Sequence, residues 1–220
     1  MPVAQTVRFE SDLPWDVLGA VPEMLQTAYG SLTVGLDVRA GQTLLVRGGT
    51  SSVGMAAAVL AKDRGLTVLS TTRRPDKARA LSAVGVDHVL VDGGEVADAV
   101  RRIVPDGVDA ALELVGTPTL PDTLAATSVH GVVCFTGMLS NEWIVRDFYP
   151  IGYIPTGVRL TAYGGDANDL PTDVLQEFLD AVADGRLTVP IAQTYRLEEI
   201  ARAHADMEAD RGAGKLVVIP

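Results

Sequence analysis

Apolar residues recur along this 220-residue chain in two periods that take turns. Between 14 and 36, Leu18, Val21, Met24, Leu25 and Leu32 stand at helix spacing, which predicts a helix over that stretch. Gly41 then turns the chain into a short apolar run, Thr43–Arg47, which reads as a strand. The alanine-rich stretch Val53–Arg64 predicts a helix, with Gly65 in the position just past its end. Leu66–Thr72 is a β-branched run, and Pro75 and Asp76 open a helix that closes near Gly85. The cycle repeats with a strand at His88–Val91, a helix at Glu95–Val104 and a strand at Val108–Val115. A helix around Leu120–Thr127 and a strand at Val132–Thr136 follow. Short apolar strands alternating with helices predict an α/β fold, a doubly wound parallel sheet covered on both faces. The remainder is less regular: a long connection over 138–157, a strand at Val158–Tyr163, helices at Pro171–Asp184 and Leu197–Asp210, and a terminal strand at Leu216–Pro220. No repeat or linker divides the chain, so residues 1–220 read as one domain with a short N-terminal helix and a C-terminal helix–strand extension.

Charge narrows the partners. Asp and Glu outnumber Lys and Arg by 28 to 18, a net charge of −10, and an acidic surface disfavours nucleic acid or an anionic membrane as the main partner. Apolar residues spread along the whole chain exclude intrinsic disorder, and no run approaches the roughly 18 residues of a membrane span. Residues 1–10 lack the basic-then-apolar pattern of a secretory leader, and the single cysteine, Cys134, excludes an internal disulfide. A cytoplasmic protein acting on a small molecule is the expectation.

The segment Val46-Arg47-Gly48-Gly49-Thr50-Ser51-Ser52-Val53-Gly54 follows a strand and opens a helix, the context in which a glycine-rich turn places a pyrophosphate against helical N–H groups. Here Gly49 is expected to supply the tight turn and Gly54 the close packing of helix on sheet. Ser51 replaces the middle glycine, and the Ser51 and Ser52 hydroxyls could donate to phosphate. An ordinary strand-to-helix turn is the other reading. At the tip of the next strand Ser70-Thr71-Thr72-Arg73-Arg74-Pro75-Asp76-Lys77 carries no carboxylate on the strand and two arginines just past it. That pattern suits a ribose 2′-phosphate better than a free 2′-hydroxyl, because guanidinium makes charge-assisted bonds to phosphate. Either the arginines are solvated surface residues or the cofactor is NADPH rather than NADH, and the loop beside them favours NADPH.

Taken together, Leu44–Gly54, Ala61-Lys62, Thr71-Thr72-Arg73 with Lys77, Gln26-Thr27-Ala28-Tyr29, Leu114-Val115-Gly116, Phe135-Thr136-Gly137 and Gly214-Lys215-Leu216-Val217-Val218 resemble the zinc-independent quinone oxidoreductase branch of the medium-chain dehydrogenase/reductases, from about Phe9 to the end. The resemblance implies a Rossmann cofactor domain, NADPH as hydride donor, reduction of a quinone, enone or other activated carbonyl, and a homodimer joined along the strand at 158–163. It places Gly49, Thr50, Ser51, Ser52, Val53 and Gly54 at the pyrophosphate, and Thr71, Thr72, Arg73, Arg74 and Lys77 around the adenosine phosphate. Leu114, Val115 and Gly116 fall beside the adenosine and nicotinamide ribose, and Phe135, Thr136, Gly137 and Met138 along the nicotinamide. Thr27 approaches the carboxamide, and Arg211 stands at a second phosphate contact. Two departures are Val91-Asp92, where relatives have a tyrosine, and Glu113, where they have Asp. Relatives also begin with a GroES-like catalytic lobe that this sequence lacks, as a natural loss, one half of a split enzyme or an expressed fragment.

Other chemistry has less support. Glu23 stands four residues before Thr27, where zinc-dependent relatives place a ligand, but reads as an exposed first-turn residue after Pro22, so no metal is expected. Cys134 reads as an inert core thiol, and His88, His130 and His204 as structural. Trp143, Phe148, Tyr149 and Tyr153 crowd a stretch just after the segment assigned to the nicotinamide. They could wall a substrate pocket, bury an irregular connection against the sheet or a dimer partner, or cover surface that a catalytic lobe would otherwise bury. Tyr149, Tyr153 and Tyr29 are the candidate hydroxyl donors to a developing oxyanion. The competing function is a reductase-derived domain without hydride transfer, using the pocket for cyclisation or isomerisation or serving as a binding subunit.

Overall fold

Strand β1 (Thr43–Arg47) shows why a short apolar run sits at the centre of this molecule. Side chains alternate across a strand, so Leu44 and Val46 enter the core on one face of the sheet while Leu45 enters a second core on the other. In the computed structural model, which describes residues 6–166 and 168–220, β1 lies between β2 (Thr67–Thr72) and β4 (Val108–Glu113). Beyond them lie β3 (His88–Val91) on one side and β5 (Thr127–Phe135) and then β6 (Arg159–Ala162) on the other, all pairings parallel. The order β3-β2-β1-β4-β5-β6 is the doubly wound order of a dinucleotide-binding sheet. The chain reverses its winding between β1 and β4, and a crevice opens there at the carboxyl ends of the strands.

Helices α1 (Trp15–Gly30), α2 (Ser52–Asp63), α3 (Ala78–Ala83) and α7 (Thr172–Ala183) build the core around Leu44, Val46 and Leu112. Helices α4 (Ala97–Ile103), α5 (Leu120–Ala125) and the short α6 (Pro150–Tyr153) cover Leu45, Leu69, Ala111 and Val133. Residues at the tips of β1 and β4 therefore have a defined face before any ligand is considered.

Several boundaries differ from the sequence reading. The first helix stops at Gly30 and runs on as a π-helical turn, Ser31–Gly35. A β-carbon on Gly30 would strike the Tyr163 ring, and one on Gly35 the Cys134 sulfur, so this close approach needs both glycines. Pro22 lies inside α1, which makes Glu23 a residue of its second half and not of a first turn. Strand β4 ends at Glu113 because the Glu113 Oε1 accepts the N–H groups of Val115 (2.7 Å) and Gly116 (3.0 Å), which turns the chain. Strand β5 begins at Thr127, earlier than expected, with an irregularity opposite Val108–Ala110 and His130 at φ +71°.

The C-terminal part holds an element the pattern did not reveal. β7 (Ile191–Arg196) pairs in parallel with β8 (Lys215–Ile219) as a separate two-stranded sheet, linked through α8 (Ile200–Glu208). Only Tyr195 of β7 is buried, where its hydroxyl donates to the buried Asp206 of α8 (3.0 Å), so the strand carries too few apolar positions to stand out. The absence of a leader was inferred from residues 1–10, of which 1–5 lie outside the described residues.

Candidate functional site

The turn out of β1 is made by Gly48, whose φ of +83° a residue with a side chain rarely adopts. This corrects the assignment of the tight turn to Gly49. Gly49 instead lies against β2: its N–H donates to the Thr71 carbonyl (3.0 Å), and a β-carbon there would strike the Ser70 hydroxyl. Gly54 is confined by backbone, since its β-carbon would come within 2.7 Å of the Gly48 oxygen and 2.8 Å of the Gly49 Cα. Ser51 caps α2: its hydroxyl donates to the Gly48 carbonyl (2.8 Å) and accepts the Gly54 N–H (3.0 Å). Its proton is therefore spent inside the loop, against the expectation that it serves a phosphate. The N–H groups of Ser52 and Val53, at the positive end of α2, have no protein acceptor among the described residues.

These groups form one wall of a cleft of about 620 Å³ at the carboxyl ends of the strands. Thr50, Ser51 and Ser52 line it, with Thr71, Thr72 and Arg73 from the end of β2 and Val115 from the turn after β4. The opposite wall comes from the C-terminal unit, through Met207, Glu208, Asp210, Gly212, Gly214 and Lys215. The Gly214 N–H donates to the Thr50 carbonyl (3.0 Å), which pins that wall to the glycine loop. The sequence reading, which expected a phosphate contact only at Arg211 in this part of the chain, missed this wall. The signal for it was the glycine-rich approach to the last strand, Gly212-Ala213-Gly214.

The basic residues past β2 differ in setting. Arg73 is exposed and faces Asp210 at 3.6 Å. Lys77 is buried, donating to the Asp210 carboxylate (2.6 Å) and the Gly212 carbonyl (2.7 Å). Arg74 pairs with Asp76 (2.6 Å) and also donates to the Asp210 carbonyl (3.3 Å), and Arg211 pairs with Asp206 (2.8 Å); neither lines the cleft. At the far end of the crevice the Thr136 hydroxyl shares a hydrogen bond with that of Ser31 (3.0 Å), and Thr27 stands one turn earlier on α1, bonded to Gln26 (3.1 Å). Gly137 packs on the Leu114 backbone, where a β-carbon would lie 2.7 Å from the Leu114 oxygen, and Met138 and Leu139 follow.

The three tyrosines do not gather at the cleft. Tyr29 lies under the Arg64 guanidinium (5.3 Å), at the opposite end of α2 from the glycine loop, roughly 18 Å away at 1.5 Å per residue. Tyr153 packs with Phe148 (5.1 Å) on the core of α4 and α5. Its hydroxyl is buried with no partner among the described residues, and burial together with the Glu113 charge pushes its pKa up. Tyr149, Trp143, Ile144 and Ile151 are exposed. The aromatic stretch thus splits between covering the sheet and facing solvent.

Beneath the cleft lies a polar cluster absent from the expected site. Arg47 is fully buried, forked onto Asp92 (2.8 and 3.0 Å), with further bonds to Asp122, Thr123 and the Gly94 carbonyl (2.7 Å). Burial opposes the charged guanidinium, but the two aspartates outweigh it and raise its pKa. Burial likewise opposes the Asp92 carboxylate, and Arg47 outweighs it and holds that pKa down. Glu113 is also fully buried, and burial raises its pKa despite hydrogen bonds from Thr123 (2.5 Å) and Thr119 (3.0 Å). The cluster ties the tips of β1, β3 and β4 to α5. An arginine ending an apolar strand covered on both faces was the signal for it.

Among the described residues no group of three or more His, Cys, Asp and Glu side chains could hold an ion, and Glu23 pairs with Lys215 (2.5 Å). Cys134 is buried, which raises its thiol pKa. No helix among the described residues is long and apolar enough to cross a membrane.

Residues 84–218, more than half of the chain, match the family model described as zinc-binding dehydrogenase. The chain is 28% identical over 227 residues to phthioceranic/hydroxyphthioceranic acid synthase of Mycobacterium tuberculosis, which covers 96% of this chain and 10% of the synthase. It is also 28% identical to the quinone oxidoreductase of Pongo abelii, across 88% of this chain and 59% of that protein. The solved structure of mycobacterial Rv1454c complexed with NADPH superposes with a TM-score of 0.86 at 26% identity, covering all of this chain and 69% of that one. With the doubly wound sheet and the glycine loop at its switch point, this match shows that the chain belongs to the zinc-binding dehydrogenase family, in the quinone oxidoreductase branch of the medium-chain dehydrogenases/reductases.

Proposed function

We propose that this chain binds a nicotinamide dinucleotide in the crevice at the carboxyl ends of β1 and β4, with NADPH as the preferred donor, and serves the reduction of a quinone, enone or similar activated carbonyl. The observation that carries the reading is a cleft lined by Ser52 on one side and by Thr71, Thr72 and Arg73 on the other, with the Ser52 and Val53 N–H groups at the start of α2 lacking a protein acceptor among the described residues. Backbone donors at a helix N-terminus suit a pyrophosphate, and a cationic strand tip suits a 2′-phosphate. The residues present fit the group: glycine at 48, 49 and 54 keeps the loop low against β2 and α2, leaving room above it. The similarity to Rv1454c, solved in complex with NADPH, supports a nicotinamide cofactor for this fold.

When bound, the cofactor supplies a hydride. The chain's own groups bind and orient. Ser52 and Val53 hold the pyrophosphate through their N–H groups, and Thr71, Thr72 and Arg73 receive the adenosine end. Val115 and Gly116, fixed by Glu113, flank the ribose, and Thr27, Phe135, Thr136, Gly137 and Met138 border the nicotinamide. Each of these roles is part of the proposal.

Titration of the chain with NADPH and NADH tests it. NADPH is expected to bind more tightly, and Arg73→Ala to remove most of the difference, a charge-assisted contact being worth about 1.5–3 kcal/mol. Equal affinity for the two cofactors would overturn the preference, and binding of neither would overturn the reading as a whole. Arg73 rather than Arg74 is the target because Arg74 is paired with Asp76.

A further inference from the structure

The cationic end of the cleft already contains an anion of the protein's own. We propose that Asp210 is an internal occupant of the subsite for the ribose 2′-phosphate, a competing anion that NADPH must displace and NADH need not, so that it holds down the affinity for NADPH alone. The proposal rests on the cofactor reading above.

Three basic residues that follow β2 converge on this one position. Lys77 reaches the Asp210 carboxylate at 2.6 Å, Arg73 faces it at 3.6 Å, and Arg74 donates to the Asp210 backbone carbonyl at 3.3 Å. Asp210 lines the cleft alongside Thr71, Thr72 and Arg73, the same groups that suit the phosphate. The carboxylate is thus bound as a phosphate oxygen would be.

Its local setting otherwise disfavours a carboxylate. Asp210 follows the last turn of α8 with φ +52°, a left-handed conformation in which glycine or asparagine is the usual residue. A negative charge at a helix C-terminus opposes the helix dipole. What holds the carboxylate there is its pairing with Lys77 and Arg73, and the side chain, 47% exposed, has solvent to turn into. Displacement exchanges one negative charge for nearly two at neutral pH, since a phosphate monoester carries about −1.5 to −2. NADH brings no group to make the exchange and leaves the Asp210 pairing intact.

The chain and its Asp210→Asn and Asp210→Gly variants would be titrated with NADPH, NADH, 2′,5′-ADP and 5′-AMP. Both replacements suit the left-handed backbone, and matching far-ultraviolet circular dichroism confirms the fold. Affinity for NADPH and 2′,5′-ADP is expected to rise about tenfold, as removal of an apposed like charge implies, with NADH and 5′-AMP unchanged. Asp210→Glu, which keeps the carboxylate, should stay close to the parent. An unchanged NADPH affinity in the neutral variants, or an equal change for all four ligands, would overturn the proposal and leave the cofactor reading standing. Binding of neither NADPH nor NADH to the parent would overturn both.

Discussion

Replacing Arg47 by methionine fills the same space with an apolar side chain and leaves Asp92 and Asp122 without their shared cation. Removing one partner of a buried pair costs far more than the pair is worth, because the remaining charge stays buried, and about 3–5 kcal/mol of stability should be lost in urea unfolding at pH 7. The pH dependence follows from Asp92, whose folded pKa is held below the ordinary carboxylate value. A depressed acid contributes stability above its unfolded pKa and loses it as pH falls through the folded one. The gap between parent and Arg47→Met should therefore be full at neutral pH and shrink in acid; a gap independent of pH would show that the aspartates do not carry it. At this scale the sequence pointed to residues of the glycine loop and of the end of β2 that line the cleft, because those lie next to each other in a motif. It did not show the Arg47 cluster or Asp210. Asp92 and Asp122 are 45 and 75 residues from Arg47, and Asp210 is 133 from Lys77, distances that only the folded sheet closes.

Among elements, the junction of β1, the glycine loop and α2 is tightly packed, and glycine is required there for a reason that can be separated from backbone conformation. Gly54 is helical, with no positive φ, yet its β-carbon would meet only backbone atoms of Gly48 and Gly49. Gly54→Ala must push the helix off the loop, at a cost of about 1–3 kcal/mol, and should weaken cofactor binding through the displaced Ser52 and Val53 N–H groups. Gly93, with open space around it, is the matched control, and Gly93→Ala should alter neither unfolding nor cofactor titration. Equal effects of the two substitutions would count against this account of the junction. The parallel strands were readable for the reason that makes them buried, since helices on both faces demand near-continuous apolar runs. β7 was not, because a two-stranded sheet at the margin buries only Tyr195 of that strand. The short α6 was hidden too, inside an apolar and aromatic stretch whose side chains lie partly on the sheet and partly in solvent.

For the whole molecule, two surfaces bear on assembly and activity. Among the described residues β6 pairs only with β5, which leaves the backbone donors and acceptors of its outer edge without a strand partner. A two-fold dimer with the sheet continued across that edge is the expected state, and a monomer by light scattering at micromolar concentration would refute it. The second surface lies where the nicotinamide is placed by the cofactor reading. Hydride transfer gains from excluded water and from donor and acceptor held in near-attack geometry, and protonation of the product oxygen gains from a positioned donor. Here Leu139, Trp143 and Ile144 are more than 60% exposed, Tyr29 sits at the far end of α2, and the Tyr153 hydroxyl is buried on the opposite core. On the cofactor reading the cleft that would hold a dinucleotide is lined on both sides, whereas the surface that would close over an acceptor is open. The chain alone is therefore expected to bind NADPH but to oxidise it only slowly with a small quinone, and an added or fused catalytic lobe from a quinone oxidoreductase should raise the rate by seating on the exposed apolar residues. The assay is NADPH oxidation with and without that lobe. Turnover by the chain alone as fast as with the lobe would mean that the segment from 141 to 157, or a second copy of the chain, completes the site. In that case Tyr149, the one exposed candidate among the three tyrosines, becomes the first hydroxyl to replace by phenylalanine.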